Sequence, residues 1–289
     1  MNRHLTLTFV PFALAALVLA GSCDRGEKKV LIRYKYEPGT EMDFRLSLEG
    51  PNKTYVHDSL TESWYVKAVE DYTQTVRRVL DDSTTEFHLT GKWTTTRQRL
   101  DETGVADSVI AREAPAPEML VYGKPNGRIT DVQLLSDTSQ AEEAYLKQHY
   151  EQAYPVFPDE PVGPGYSWTQ STRVMLPDGP TDATATYTIK GYDRVDGYDC
   201  VIIEYDNLTI IPLLPHKSRS GELLSGVHRI RSVGRLDFAY REGLEVHYKE
   251  RWTLDAAFQF QPTGKKDVFH YKQLIEYDAD IVLLDIKKP

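Results

Sequence analysis

From Val30 onward the apolar residues recur at every second position, and this period constrains the fold more than any other feature of the 289-residue chain. Phe44, Leu46 and Leu48 alternate with Asp43, Arg45 and Ser47; Leu244, Val246 and Tyr248 alternate with Glu245, His247 and Lys249. A period of two places alternate side chains on opposite faces of a strand, so such runs predict half-buried antiparallel strands. Further runs occupy 31–36, 62–69, 73–80, 84–90, 93–100, 184–190, 200–205 and 235–240. The run at 267–284 reads as a strand as well, although Val268, Tyr271, Leu274 and Tyr277 also fit a helical stripe. Gly, Pro and Asp punctuate the runs, as turn chemistry requires. Pro38-Gly39, Gly50-Pro51-Asn52, Asp81-Asp82-Ser83 and Arg241-Glu242-Gly243 read as turns, and Asp196-Gly197 suits a type I′ hairpin. The 18 Tyr against 9 Phe fit the same picture, because tyrosine favours half-buried strands.

One segment breaks the period. Ser139-Gln140-Ala141-Glu142 is a capping box, and Ala141, Ala144, Tyr145, Gln148 and Gln152 follow at helical spacing until Tyr154-Pro155. Pro158, Pro161, Pro164 and Gly165 make a stiff connector after it. The expected fold is mainly β: antiparallel sheets in two related halves, as a curved half-barrel or a sandwich, joined by one helix. Residues 30–135 form the first half, 136–160 the helix and connector, and 161–289 the second half. Matching turns suggest a duplication. Pro38-Gly39 answers to Pro164-Gly165, and Gly127 to Gly243, although any antiparallel sheet repeats its turns.

The front of the chain is of another kind. A short basic start, Asn2-Arg3-His4, precedes an uncharged stretch from Leu5 to Ala20, then Gly21-Ser22-Cys23. That stretch is short for a transmembrane span of about 20 residues and has the flanks of an export signal. Ala20-Gly21-Ser22-Cys23 resembles a bacterial lipobox. The resemblance implies a signal peptide at 1–22, cleavage before Cys23 and diacylglycerol on its sulfur, with acylation of the new amino group. An ordinary signal cut near Ser22 is the other reading. Residues 23–29 would be a polar tether. Asp24 is similar to an inner-membrane retention signal of enterobacterial lipoproteins; other phyla do not follow that rule. Losing residues 1–22 removes Arg3 and no acid, which takes the net charge from −9 to −10.

Together with the lipobox, four segments resemble a family of uncharacterised envelope lipoproteins of the Bacteroidota kind. They are Tyr34-Lys35-Tyr36-Glu37-Pro38-Gly39, Gly123-Lys124-Pro125-Asn126-Gly127-Arg128-Ile129, Pro161 to Trp168, and Val195-Asp196-Gly197-Tyr198-Asp199-Cys200. The resemblance implies a class without a mechanism. A body lipid-anchored in the cell envelope is expected, in the periplasm or at the surface, with the outer membrane ahead of the inner one. Envelope carriers that cup acyl chains in a curved sheet are similar in expected shape alone.

Motifs for chemistry are sparse. An acidic chain with pI near 5.4 argues against nucleic-acid binding, which needs excess Lys and Arg. The sequence holds no HExxH, CxxC, GxSxG or SxxK pattern and no Gly-rich phosphate loop. No metal, cofactor or catalytic residue is therefore expected. Cys200 opens an apolar strand and reads as a buried, inert thiol. The run from Leu208 to Pro215 carries two prolines and so cannot be a central strand. It reads as an edge, a core segment leaving the sheet, or a flap over a ligand through Ile210, Ile211, Leu213 and Leu214. Trp64, Trp93, Trp168, Trp252, Tyr65, Tyr145, Tyr150, Tyr154 and Tyr166 supply aromatic surface for a cleft or for ordinary strands. The expectation is a non-catalytic protein binding a lipophilic ligand in a concave sheet. An envelope protein partner docked on the sheet face is second, and a hydrolase third.

Overall fold

The computed structural model describes residues 28–101, 103–135, 150, 155–176, 179–217, 223–262, 264 and 266–289. Twelve strands follow in order: β1 (Glu41–Val56), β2 (Ser59–Val79), β3 (Thr85–Leu100), β4 (Ala106–Pro115), β5 (Met119–Gly123) and β6 (Ile129–Leu134), then β7 (Ser167–Leu176), β8 (Gly179–Val195), β9 (Tyr198–Lys217), β10 (Leu223–Ala239), β11 (Leu244–Gln261) and β12 (Phe269–Lys287). They form one antiparallel sheet ordered β6-β5-β3-β2-β1-β12-β11-β10-β9-β8-β7, with β4 paired to β3 alone. The sheet is open, with β6 and β7 as its edges. Strands from 30–135 and from 161–289 share this one sheet, where separate sheets or a sandwich were expected, and β1 pairs with β12, Leu46 opposite Ile281 and Glu49 opposite Asp278.

Several turns fall where the sequence puts them. Asp196 and Gly197 both have positive φ (48° and 86°), the geometry of a type I′ hairpin between β8 and β9. The Asp82 carboxylate accepts the Thr84 amide at 3.0 Å and pairs with Lys124 at 2.8 Å in the β2–β3 turn. Gly39 and Gly165, both at positive φ, precede β1 and β7. Gly127 and Gly243 precede β6 and β11, so the matched turns fall at equivalent points of the two meanders once β4 is set aside. The run at 267–284 is strand, settled by its pairing with both β1 and β11.

Other expectations are corrected. Gly50-Pro51-Asn52 is not a turn; β1 runs through it, and Gly50 has no side chain because a Cβ there would lie 1.9 Å from the Glu276 carbonyl oxygen on β12. The turn comes instead at His57-Asp58, both at positive φ. The runs at 62–69 and 73–80 are one strand of 21 residues, roughly 70 Å long. Those at 84–90 and 93–100 likewise merge into β3. Residues 31–36 are not a strand. Val30, Tyr34 and Lys35 hydrogen-bond to three separate places, Val162, Pro125 and Gly243, so the segment crosses the sheet as a strap. The helix expected from Ser139 lies outside the described residues except Tyr150.

That strap organises the core. Ile32 and Tyr34 pack with Phe157, Val162, Ile189, Ile203 and Phe238 in one cluster. Met42, Phe44, Val76, Phe87 and Val121 form another. Tyr36 touches both clusters, stacking on Tyr34 at 5.5 Å and meeting the Phe87 ring edge-on at 4.6 Å. Near the open edges the Phe157 amide donates to Asn126, before β6, and the Val156 amide donates to Gln170 on β7. Residues 156–157 therefore tie the two edges together at the core end.

The opposite face of the long strands is charged. Arg45 pairs with Asp71, Lys67 with Glu49, Arg231 with Asp206 and Arg251 with Asp278 across neighbouring strands. Exposed pairs of this kind add little stability. Glu49, Asp206, Arg251 and Asp278 line a second, open space of about 900 Å³ on this face. Among the described residues no helix is long and apolar enough to cross a membrane. Gly50→Val is expected to destabilise the protein by at least about 2 kcal/mol in chemical denaturation, because β1 and β12 cannot both stay in place. A value near zero would restore the turn that the sequence suggested.

Candidate functional site

Above the strap the inner face of the sheet bounds a cavity of about 510 Å³. Trp93 on β3 and Tyr187 on β8 both line it, although six strands separate β3 from β8, so the sheet is curled into a trough. Alternation explains the lining. Leu46 and Leu48 share a face with Phe44, and their partners on β2 and β12 follow: Leu46 stands opposite Glu70 and Ile281. Trp93 lies opposite Glu70 in turn. On the other wall Tyr205 faces Tyr187, and Glu250 faces Ala279. Tyr150 and Pro155 complete the lining from the connector.

A bulge between Asp237 and Phe238 changes the phase of β11. The sequence grouped Leu244, Val246 and Tyr248 on one face and set Glu245 apart. In the structure Glu245 and Tyr248 line the cavity, whereas Val246 packs with Cys200, Ile202 and Ala239 in a separate cluster. One extra residue on the bulged strand is enough to send a carboxylate inside.

Aromatic rings run across this wall from strand to strand. Trp168 stacks on Tyr187 at 5.1 Å, Tyr187 meets Tyr205 at 5.8 Å, and Tyr205 stacks on Tyr248 at 5.7 Å. The last pair reaches over β10, where Gly234 lies between them; a Cβ at Gly234 would come 2.5 Å from the Tyr205 hydroxyl. The two hydroxyls are 2.5 Å apart, and Tyr248 donates to Glu250 at 3.1 Å. On the floor, the Tyr34 hydroxyl donates to Glu245.

Three carboxyl groups thus face the cavity: Glu70, Glu245 and Glu250. No Lys, Arg or His is among the described lining residues. Burial pushes the Glu70 carboxyl up to about 7. Burial also pushes Glu245 up to about 7, against the downward pull of the bond from Tyr34. Tyr72 is driven well above its ordinary value by burial and then by the negative field of Glu245, with Tyr150 and Glu70 adding to it. Burial and the field of Glu250 raise Tyr187 to about 12.

The residues proposed from sequence are distributed differently. Ile210 and Ile211 are consecutive in β9 and point to opposite faces, Ile210 half exposed and Ile211 buried. The Leu208–Pro215 run is an edge of a kind: beyond Leu208 the β9–β8 register stops, while Pro212 still pairs with Val227 of β10. The side chains of Leu213 and Leu214 lie outside the described residues, as do Cys23, Tyr145 and Tyr154. Trp93, Trp252 and Tyr150 do line the cavity. Cys200 is fully buried, and burial raises its thiol to about 12. His57 and His270, far apart in sequence, meet at the strand tips with rings 5.8 Å apart. Among the described residues no three His, Cys, Asp or Glu side chains gather as a metal site would need.

Comparison with known proteins adds little to this geometry. No family model matches the chain, and no curated protein does. A crystal structure of an outer membrane channel from Pseudomonas putida is similar at a TM-score of 0.27 and 6% identity, over 87% of this chain and 97% of that one. At that score the likeness carries no argument.

The two raised carboxyls set a pH dependence. A carboxyl whose native value lies above its ordinary 4.5 holds its proton more tightly in the folded state, so ionising it costs stability. The cost is absent below about 4.5, grows as pH rises through about 7, and is constant above. The thermal midpoint should therefore fall by several degrees between pH 5 and pH 8, and the Glu70→Gln, Glu245→Gln double variant should flatten that fall. Parallel profiles for the two proteins would place both carboxyls in water.

Proposed function

We propose that the protein is a non-catalytic lipoprotein of the cell envelope that holds a lipophilic ligand in the trough of its sheet. The observation that carries this reading is the cavity of about 510 Å³, a size suited to a small lipophilic molecule, walled by Leu, Tyr and Trp side chains from nearly the whole sheet. Interiors normally close to native packing density, so a space of this size among aromatic walls favours a ligand there. The charged outer face keeps the body in water. Acyl chains on Cys23 would hold it at a membrane, since each buried methylene contributes about 0.8 kcal/mol and two or three chains together anchor stably.

Two measurements test the parts separately. Radiolabelled palmitate supplied to expressing cells should label the chain and leave Cys23→Ala unlabelled; equal labelling of both would remove the anchor. The neutral probe N-phenyl-1-naphthylamine should brighten on binding the protein. Ala279→Phe, which fills the trough from β12, should weaken binding about tenfold or more, the loss expected when an apolar pocket is occupied. Binding that ignores Ala279→Phe would put the probe elsewhere and sink the cavity reading.

A further inference from the structure

We infer that the ligand of the trough is an amphiphile with an ammonium group, whose cation sits beside Glu70 and against the ring of Trp93, its cross-strand neighbour. The inference rests on the reading of the cavity as a ligand site and names the chemistry of its occupant. Three carboxyl groups share one cavity, and among its described lining residues none carries positive charge. Glu70 and Glu245 are withdrawn from water with no Lys, Arg or His among the described lining residues, which favours a ligand that brings a cation. The walls are of the matching kind. Indole and phenol faces attract ammonium through the ring quadrupole, most strongly when both are desolvated, and a box of Trp and Tyr is the usual receptor for alkylated ammonium. Trp252 is held in place by stacking on Tyr277 at 5.9 Å. The fields of Glu245 and Glu70 both reach Tyr72, and that of Glu250 reaches Tyr187 and Tyr248, so the acids flank the aromatic walls on either side. Leu46, Leu48 and Ile281 leave an apolar surface for the rest of the molecule. A fatty acid fits poorly, because its carboxylate would meet lining carboxyl groups with no Lys, Arg or His among the described lining residues to separate them.

Titration calorimetry decides the matter with four ten-carbon ligands below their micelle concentrations: decyltrimethylammonium, decanol, decanoate and decylphosphocholine. The protein is the chain without residues 1–22 and with Cys23→Ser, which keeps every strand and core residue described above. Decyltrimethylammonium should bind at least about tenfold tighter than decanol, and decanoate more weakly than decanol. The Glu70→Gln, Glu245→Gln double variant should bring the cation to the affinity of decanol and leave decanol unchanged. Decylphosphocholine bound more tightly than decanol, with the same dependence on the two acids, supports the inference with a lipid headgroup as the source. Failure of decylphosphocholine beside success of the bare cation supports it with a free lipophilic amine. Decanol or decanoate binding as tightly as the cation overturns the ammonium assignment and leaves the cavity reading standing. No binding by any of the four overturns both.

Discussion

The rest of the structure depends on a short strap, residues 30–36, that belongs to no strand. Its backbone is bonded to Val162, Pro125 and Gly243, three points distant in sequence, and its two tyrosines fasten the core clusters of the two halves together. Tyr34 packs on Phe157 and on the edge of Phe238; Tyr36 packs on Phe87. An open sheet of long strands has no intrinsic reason to curl at one end. Here a cross-tie draws it in, and residues 156–157 hold its two edges there. The Tyr34 hydroxyl also donates a hydrogen bond to Glu245, so the element that closes the core holds a carboxyl group that lines the cavity above it.

That arrangement gives the strands two unlike environments along their length. Near the strap the inner face is packed with buried apolar side chains. Further along, the same face carries Glu70, Glu250 and their tyrosine neighbours, and the packing gives way to space. Leucines at those positions would bury more apolar surface and would not meet the desolvation that lifts Glu70 and Glu245 to about 7. Carboxyl groups at such a place are a cost to folding, which the proposed binding role would explain, since functional sites commonly carry such a cost.

Much of the strand pattern was legible because alternation and turn chemistry are local. Asp196-Gly197 needs only its own backbone angles to make a hairpin, and the edge character of Leu208–Pro215 follows from a missing donor. What escaped depended on partners. Gly50 looks like a turn residue until Glu276 is seen pressed against it, and the strap at 31–36 alternates like a strand but finds no strand beside it. The cavity acids left a faint trace. Glu70 and Glu250 occupy the apolar phase of their strands, the first between Ala68 and Tyr72 on β2, the second between Tyr248 and Trp252 on β11. Glu245 left none, since the bulge that turns it inward is set by the pairing of β10 with β11.

The central claim is that a lipophilic molecule occupies the trough, and tryptophan fluorescence reads it directly. The chain has four tryptophans, of which Trp93 and Trp252 line the cavity, while Trp64 and Trp168 do not. A brominated ten-carbon alcohol should quench the fluorescence saturably, to one ligand per chain. Replacing Trp93 and Trp252 together by Phe should abolish that saturable quenching. Quenching that stays the same in the double variant, or that never saturates, would contradict the account.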